Sequence, residues 1–173
     1  AADARALSPA GSMLSFVNKV AEAIEEEFPR AAVDMLAYLY TRKAPRGIRP
    51  RRNVIVRLCT FECDFLHPLD HPNNRPFMRD LRSWSRVCKR LYVWDYTTNF
   101  AHYVLPHPNW FVLDENMRLF HAHNVRGVFE EGNCSSPGGE LSEMKAWVMA
   151  KLMWNPNLDG RALIREFLRG YYG

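Results

Sequence analysis

The chain has 173 residues, 47% of them hydrophobic, and its 23 basic and 19 acidic residues leave a net charge of +4. That is one domain's worth of polypeptide, with enough apolar material to bury a core. No apolar run approaches the roughly 18 residues of a membrane-spanning helix, and Ala1 to Ala10 lack the charged start and apolar centre of a signal peptide.

The first helix is carried by Leu14, Val17, Val20, Ala21, Ile24 and Phe28, which share one stripe while Glu22, Glu25 and Glu26 fall mostly off it. Ser12 or Ser15 is placed to cap its start, and Pro29 marks its end. Val33 to Tyr40 reads as a strand, Val54 to Cys59 as the next. The proline-rich connection between them has no helical pattern, but it exceeds the dozen or so residues that a parallel crossover needs. It also holds much of the basic excess: Arg42, Lys43, Arg46, Arg49, Arg51 and Arg52. A nucleic-acid groove would set stacking aromatics among these cations. None lies between Tyr40 and Phe61, so the run reads as a solvated, proline-stiffened link and no nucleic-acid partner is expected.

A loop containing Pro68, Pro72, Asn73 and Asn74 follows, then a helix capped by Asn74 with Phe77, Leu81, Trp84 and Cys88 on its buried stripe. Leu91 to Trp94 is the third strand, and Asp114 to His123 a short helix with Met117 and Phe120 inward. Val125 to Phe129 is the fourth strand. Leu141, Met144, Val148 and Leu152 stripe the next helix. Asp159 caps a last one carrying Leu163, Ile164, Phe167 and Leu168, closed by Gly170. Trp84, Trp147 and Trp154, in or beside helices, read as core residues.

Strands interleaved with helices indicate a parallel α/β architecture. Four parallel strands are half of an eight-stranded barrel, and an open half would expose two unpaired edges. The expected architecture is therefore the C-terminal half of a (β/α)8 TIM-like barrel, with residues 1–173 one segment truncated at both ends and the N-terminal half its missing partner. No membrane span is expected.

Each of three strands ends in carboxylate and aromatic residues: Val54–Leu58 runs into Glu62, Cys63 and Asp64, Leu91–Trp94 into Asp95, Tyr96 and Asn99, and Val125–Phe129 into Glu130 and Glu131. Parallel strands leave their carboxyl ends on one face, where α/β sheets and barrels bind ligands. The repetition points to one polar site assembled from several strands. Cys59, Cys63, His67 and His71 recur every four residues, but Pro68 and Pro72 forbid the continuous helix that would gather them, and structural zinc sites separate their ligand pairs more widely. No metal or cofactor is assigned. Cys88 reads as core, while Cys63 and Cys134 both fall in predicted top-face loops, where a disulfide between them is geometrically possible.

Several segments resemble an uncharacterised bacterial family, domain of unknown function 4838. They are Ser12–Glu22, Leu36-Ala37-Tyr38 with Pro45 and Pro50, Val56–Cys59 with Glu62-Cys63-Asp64, Trp94–Phe100, Gly127–Glu130 and Phe167–Gly173. Trp94–Phe100 is the most specific block. The resemblance implies a barrel similar to glycoside hydrolases, near the α-glucuronidase and β-hexosaminidase groups, in an exported bacterial protein. Members usually carry an Asn-Asp-Gly segment and a Cys-x-Cys-x-x-Cys cluster upstream of the first helix. Neither occurs here, so a catalytic acid at that preceding strand end would lie before Ala1, and the isolated segment is expected to be inactive.

Glycoside hydrolysis commonly needs two carboxyl groups across the scissile bond, one kept protonated and one ionised. The candidates are Asp95, Glu130, Asp64 and Glu62, with Asp95 and Glu130 favoured because each directly follows an apolar strand. Burial beside Trp94 or Phe129 would raise a carboxyl pKa as a general acid requires. The bland alternative is pairing with Arg57, Arg42 or Arg126. Glu130 and Glu131 are adjacent, so at most one faces the pocket if the strand persists that far. Tyr40, Trp94, Tyr96 and Trp110 are candidate sugar platforms, joined by Asn99 and Glu131 as polar ligand contacts. His102 and His107 read first as satisfied surface histidines, with a ligand-facing role for one of them as the alternative, and a non-catalytic carbohydrate-binding or scaffold barrel is the competing function.

Overall fold

Helix-period stripes and short β-branched runs alternate along the chain, and the computed structural model, which describes residues 2–173, folds them accordingly. In order they are α1 (Ala2–Ala6), α2 (Ala10–Glu27), β1 (Val33–Ala37), β2 (Val54–Cys59), α3 (Arg75–Val87), β3 (Leu91–Tyr96), α4 (Leu113–Ala122), β4 (Val125–Glu131), α5 (Ser142–Trp154) and α6 (Gly160–Tyr171). Single 3-10 turns occupy Leu39–Thr41 and Pro72–Asn74. The four strands form one parallel sheet in the order β1-β2-β3-β4, as consecutive strands of half a (β/α)8 barrel would.

One face of the sheet is covered by helices. Met35, Ala37, Val54, Val56, Leu58, Leu91 and Val93 pack there with Leu14 and Ala21 of α2, Phe77, Leu81 and Trp84 of α3, Met117 and Phe120 of α4, and Val148 and Leu152 of α5, in a single core. Fully burying one such aliphatic side chain stabilises the fold by roughly 1.5–3 kcal/mol. The opposite face presents Asp34, Leu36, Arg57, Trp94 and Phe129 around a shallow cavity of about 380 Å³.

Several local expectations change. Neither Ser12 nor Ser15 caps α2, which starts at Ala10 after Pro9. The Ser8 hydroxyl accepts from the Ala10 N–H instead, while Ser12 is held by Asp3 and Ser15 donates to the Gly11 carbonyl. β1 stops at Ala37 because the buried Thr41 hydroxyl accepts from the Tyr38 N–H and Leu39 turns into the left-handed region at φ 45°. Leu141 also lies outside its stripe, left-handed at φ 46° and exposed. Gly170 sits within α6, which runs on to Tyr171, and Leu168 is exposed. Trp154, at 90% exposure, is a surface residue, whereas Trp84 is fully buried. The basic connection is less solvated than its composition implies: Arg42 bonds Glu62 and Asp80, and Arg51 and Arg52 share Glu25.

β3 and β4 meet through a bulge. Leu91 pairs with Val125 and Tyr92 with Gly127, which leaves Arg126 as the extra residue. Gly127 leaves room there for the Tyr92 ring, which a Cβ at this position would approach to 2.5 Å and force to move.

Candidate functional site

The bulge decides which strand-end side chains meet. Without it, strict alternation from the core-facing Val125 would turn Glu131 toward the helices and Glu130 away. With it, Val128 and Glu130 face the helix layer, and Phe129 and Glu131 face the open side beside Trp94.

On the open side, Trp94 donates its indole N–H to Glu131 Oε2 at 2.7 Å and meets Phe129 edge-on, ring centroids 4.7 Å apart. Arg57 lies over the Tyr92 and Trp94 rings at 5.8 and 5.9 Å and grips Asp34 on β1 through Nε and Nη2. Tyr96, at the end of β3, belongs to an edge-to-face aromatic row that links Tyr38, Phe61, Tyr96, Phe100 and Tyr103 at spacings of 5.5–6.0 Å. Tyr40 is 72% exposed on the turn after β1. Burial pushes the nearby Cys59 thiol up to about 11, against weaker lowering by Tyr96 and Arg57.

Asp95 and Glu130 are register partners on the helix side. The Thr60 hydroxyl donates to Asp95 at 2.5 Å, as does the Tyr96 N–H at 2.9 Å. Desolvation nonetheless pushes the Asp95 carboxyl up to about 6. Glu130 has no hydrogen-bond partner for either carboxylate oxygen. Burial, then the Asp95 charge, raises its pKa well above the usual range. It lines a small cavity of about 130 Å³ with Thr97, Thr98, Glu140, Lys145 and Met149. These two carboxyls are brought together, with raised pKa values, behind the sheet and away from Trp94.

The remaining candidates divide. Glu62 is half-exposed and paired to Arg42. Asp64 bonds His67 and Asn73 on the loop after β2, and the Asn73 amide followed by His67 holds its carboxyl down at about 2. Asn99 spends its side-chain oxygen on the Ala101 and His102 N–H groups of its own turn. Trp110 leaves the open face altogether: its indole donates to Glu140 Oε1 at 2.7 Å and Lys145 sits 4.4 Å over its ring. His107 is buried, its ring 3.3 Å from the Tyr96 carbonyl, and desolvation lowers its pKa. The four cysteines are free. A larger cavity, about 880 Å³, lies between the basic connection and α3 and contains none of these residues.

Sequence reasoning passed over Asp34, Tyr38, Phe61, Phe100 and Phe129 as members of the site. A signal existed, since an aromatic lies within two residues of every strand's carboxyl end. What carboxylates and aromatics held side by side can do is bind a ligand with an apolar face and a hydroxyl rim.

Comparison with curated proteins found no match, and neither did comparison with solved structures. A family model does match, over residues 2–173, and by that match the chain belongs to the family described as a domain of unknown function (DUF4838).

Proposed function

We propose that the chain forms one wall of a carbohydrate-binding cleft in a glycoside-hydrolase-like (β/α)8 barrel, of which residues 1–173 are the C-terminal part. The observation that carries this reading is the open sheet face, where Trp94, Phe129 and Tyr96 stand beside Arg57, Asp34 and Glu131. A pyranose offers C–H groups to a flat indole and hydroxyls to charged neighbours. Closure of a barrel by the N-terminal half would turn this face into the barrel interior, with Tyr96 and Glu131, the last residues of β3 and β4, at the carboxyl-end rim where such barrels bind ligands. Glu131 is the carboxylate on this face at a strand end, so it takes the catalytic role, with a carboxyl from the other half opposite. Asp95, held by the Thr60 hydroxyl and the Tyr96 N–H, then supports the strand ends from behind.

The test is a panel of aryl glycosides and free glycans offered to the full-length protein. Trp94→Ala is expected to weaken glycan affinity about tenfold, the factor that about 1.4 kcal/mol represents. Glu131→Gln should abolish hydrolysis while changing affinity little, and Glu130→Gln should spare both. Hydrolysis that survives Glu131→Gln but fails in Glu130→Gln would return the chemistry to the helix side.

A second reading, non-catalytic sugar binding, is favoured by one feature: both carboxylates on the open face are already engaged, Asp34 by Arg57 and Glu131 by the Trp94 indole. Trp94-dependent glycan binding without hydrolysis of any substrate would select it.

A further inference from the structure

The loop between β2 and α3 brings together a group that lies apart from the aromatic face. We propose that Asp64, His67 and His71 bind a divalent transition-metal ion of the zinc type. One ligating atom from each lies within 4.8 Å of the other two. Asp64 Oδ2 is 2.9 Å from His67 Nδ1, and the His67 and His71 rings stack at 4.0 Å between centroids, 16° from parallel. Around a tetrahedral zinc, with ligands at about 2.0–2.2 Å, neighbouring donor atoms stand about 3.3 Å apart. The Asp64–His67 pair is near that separation already, and rotation of the His71 side chain closes the rest.

The backbone carrying the ligands is fixed by the protein rather than by contacts among the three. Asn74 is 2% exposed and acts as a hub. Its amide nitrogen donates to the carbonyls of Asp64, His67 and Pro68 at 3.0, 3.4 and 3.1 Å, and its oxygen accepts from the Asp64 N–H at 2.8 Å. The N–H of buried Leu69 donates to Asn116 of α4 at 3.0 Å. Pro68 and Pro72 restrict φ in between. A loop ordered in this way loses little conformational entropy when it takes up an ion.

Outer contacts orient the donors as metal sites require. Asn73 Nδ2 donates to Asp64 Oδ2 at 2.6 Å and the Leu66 N–H donates to Oδ1 at 3.0 Å, which fixes the carboxylate. Two imidazoles and one carboxylate suit zinc and its neighbours, whereas calcium and magnesium prefer all-oxygen shells. The His67 and Asp64 side chains are 38% and 29% exposed, so a fourth position is open to water. His67 ligates through Nδ1 as its neutral Nε2–H tautomer, and a proton held between Asp64 Oδ2 and His67 Nδ1 passes to solvent when the ion binds. The cysteines of the four-residue pattern stay outside this group: Cys59 is buried at the end of β2, and burial pushes the Cys63 thiol far up.

The experiment is calorimetric titration of the full-length protein with zinc chloride, in a Cys134→Ser background because Cys134 is an exposed thiol. One saturable site is expected, lost in the His67→Ala/His71→Ala double variant and weakened about 10–100-fold by Asn73→Ala. Cobalt loading should give the visible d–d absorption of a tetrahedral site, absent from the double variant. Single His71→Gln, which removes a ring held by one long hydrogen bond and its stacking on His67, serves if the double variant loses its circular dichroism. Absence of saturable uptake, or uptake undiminished in these histidine variants, overturns the assignment.

Discussion

Glu130 is the residue whose environment is least comfortable. Its carboxyl is buried beside Asp95 with no donor to either oxygen, an arrangement tolerated only while it stays neutral. Unfolded, the two carboxyls titrate near pH 4; folded, both pKa values are raised. The folded form therefore binds more protons, and the pair's contribution to stability is fully present below about pH 4 and is lost as pH rises through the folded values, about 6 for Asp95 and higher for Glu130. Glu130→Met keeps the volume and removes the penalty. It should stabilise the protein by about 1–3 kcal/mol at pH 8 and by less at pH 5, as read from urea midpoints. A loss of stability equal at both pH values would mean that Glu130 makes a favourable bond in solution. The sequence identified Asp95 and Glu130 as strand-end acids, but not their facing, because one bulged residue at Arg126 inverts everything after it.

At the scale of elements, the loop from Phe61 to Asn74 depends on one amide. The sequence places Asn74 as a helix cap; in the fold it precedes α3 but makes no side-chain bond to the helix, and its hydrogen bonds run back into the loop. Asn74→Ala leaves several backbone groups without partners in a buried spot. It should cost about 2–4 kcal/mol in chemical denaturation and speed hydrogen exchange at the amide of Asp64. If stability is unchanged, water replaces the amide and the loop is softer than its hydrogen bonds indicate. The strand runs, the α3 stripe and the Asp159 cap were legible because each is set by nearby residues: Asp159 Oδ1 accepts from the Ala162 N–H, three positions on. The start of α2 was not, because Ser8, Ser12 and Asp3 settle their bonds through α1, which brings residues nine apart together.

Across the whole molecule, one core joins all four strands to α2, α3, α4, α5 and α6. Among the described residues no helix is long and apolar enough to cross a membrane. A single shared core predicts one cooperative transition, with tryptophan fluorescence and far-UV circular dichroism coinciding on denaturation of the full-length protein. Separate midpoints would divide the helix layer from the sheet. Hydrophobic period and turn residues, both local properties of the sequence, determined the number, kind and order of the main elements and the parallel α/β class. Only the tertiary structure decided that the carboxylates separate onto two faces, that Trp110 leaves the aromatic group for Glu140, and that Asp64 joins two histidines. The first two outcomes turn on strand register and on hydrogen bonds between residues far apart in sequence, where a shift of one position reverses the direction of a side chain while leaving every local pattern intact. The third turns on the Asn74 bonds that fold the loop back on itself.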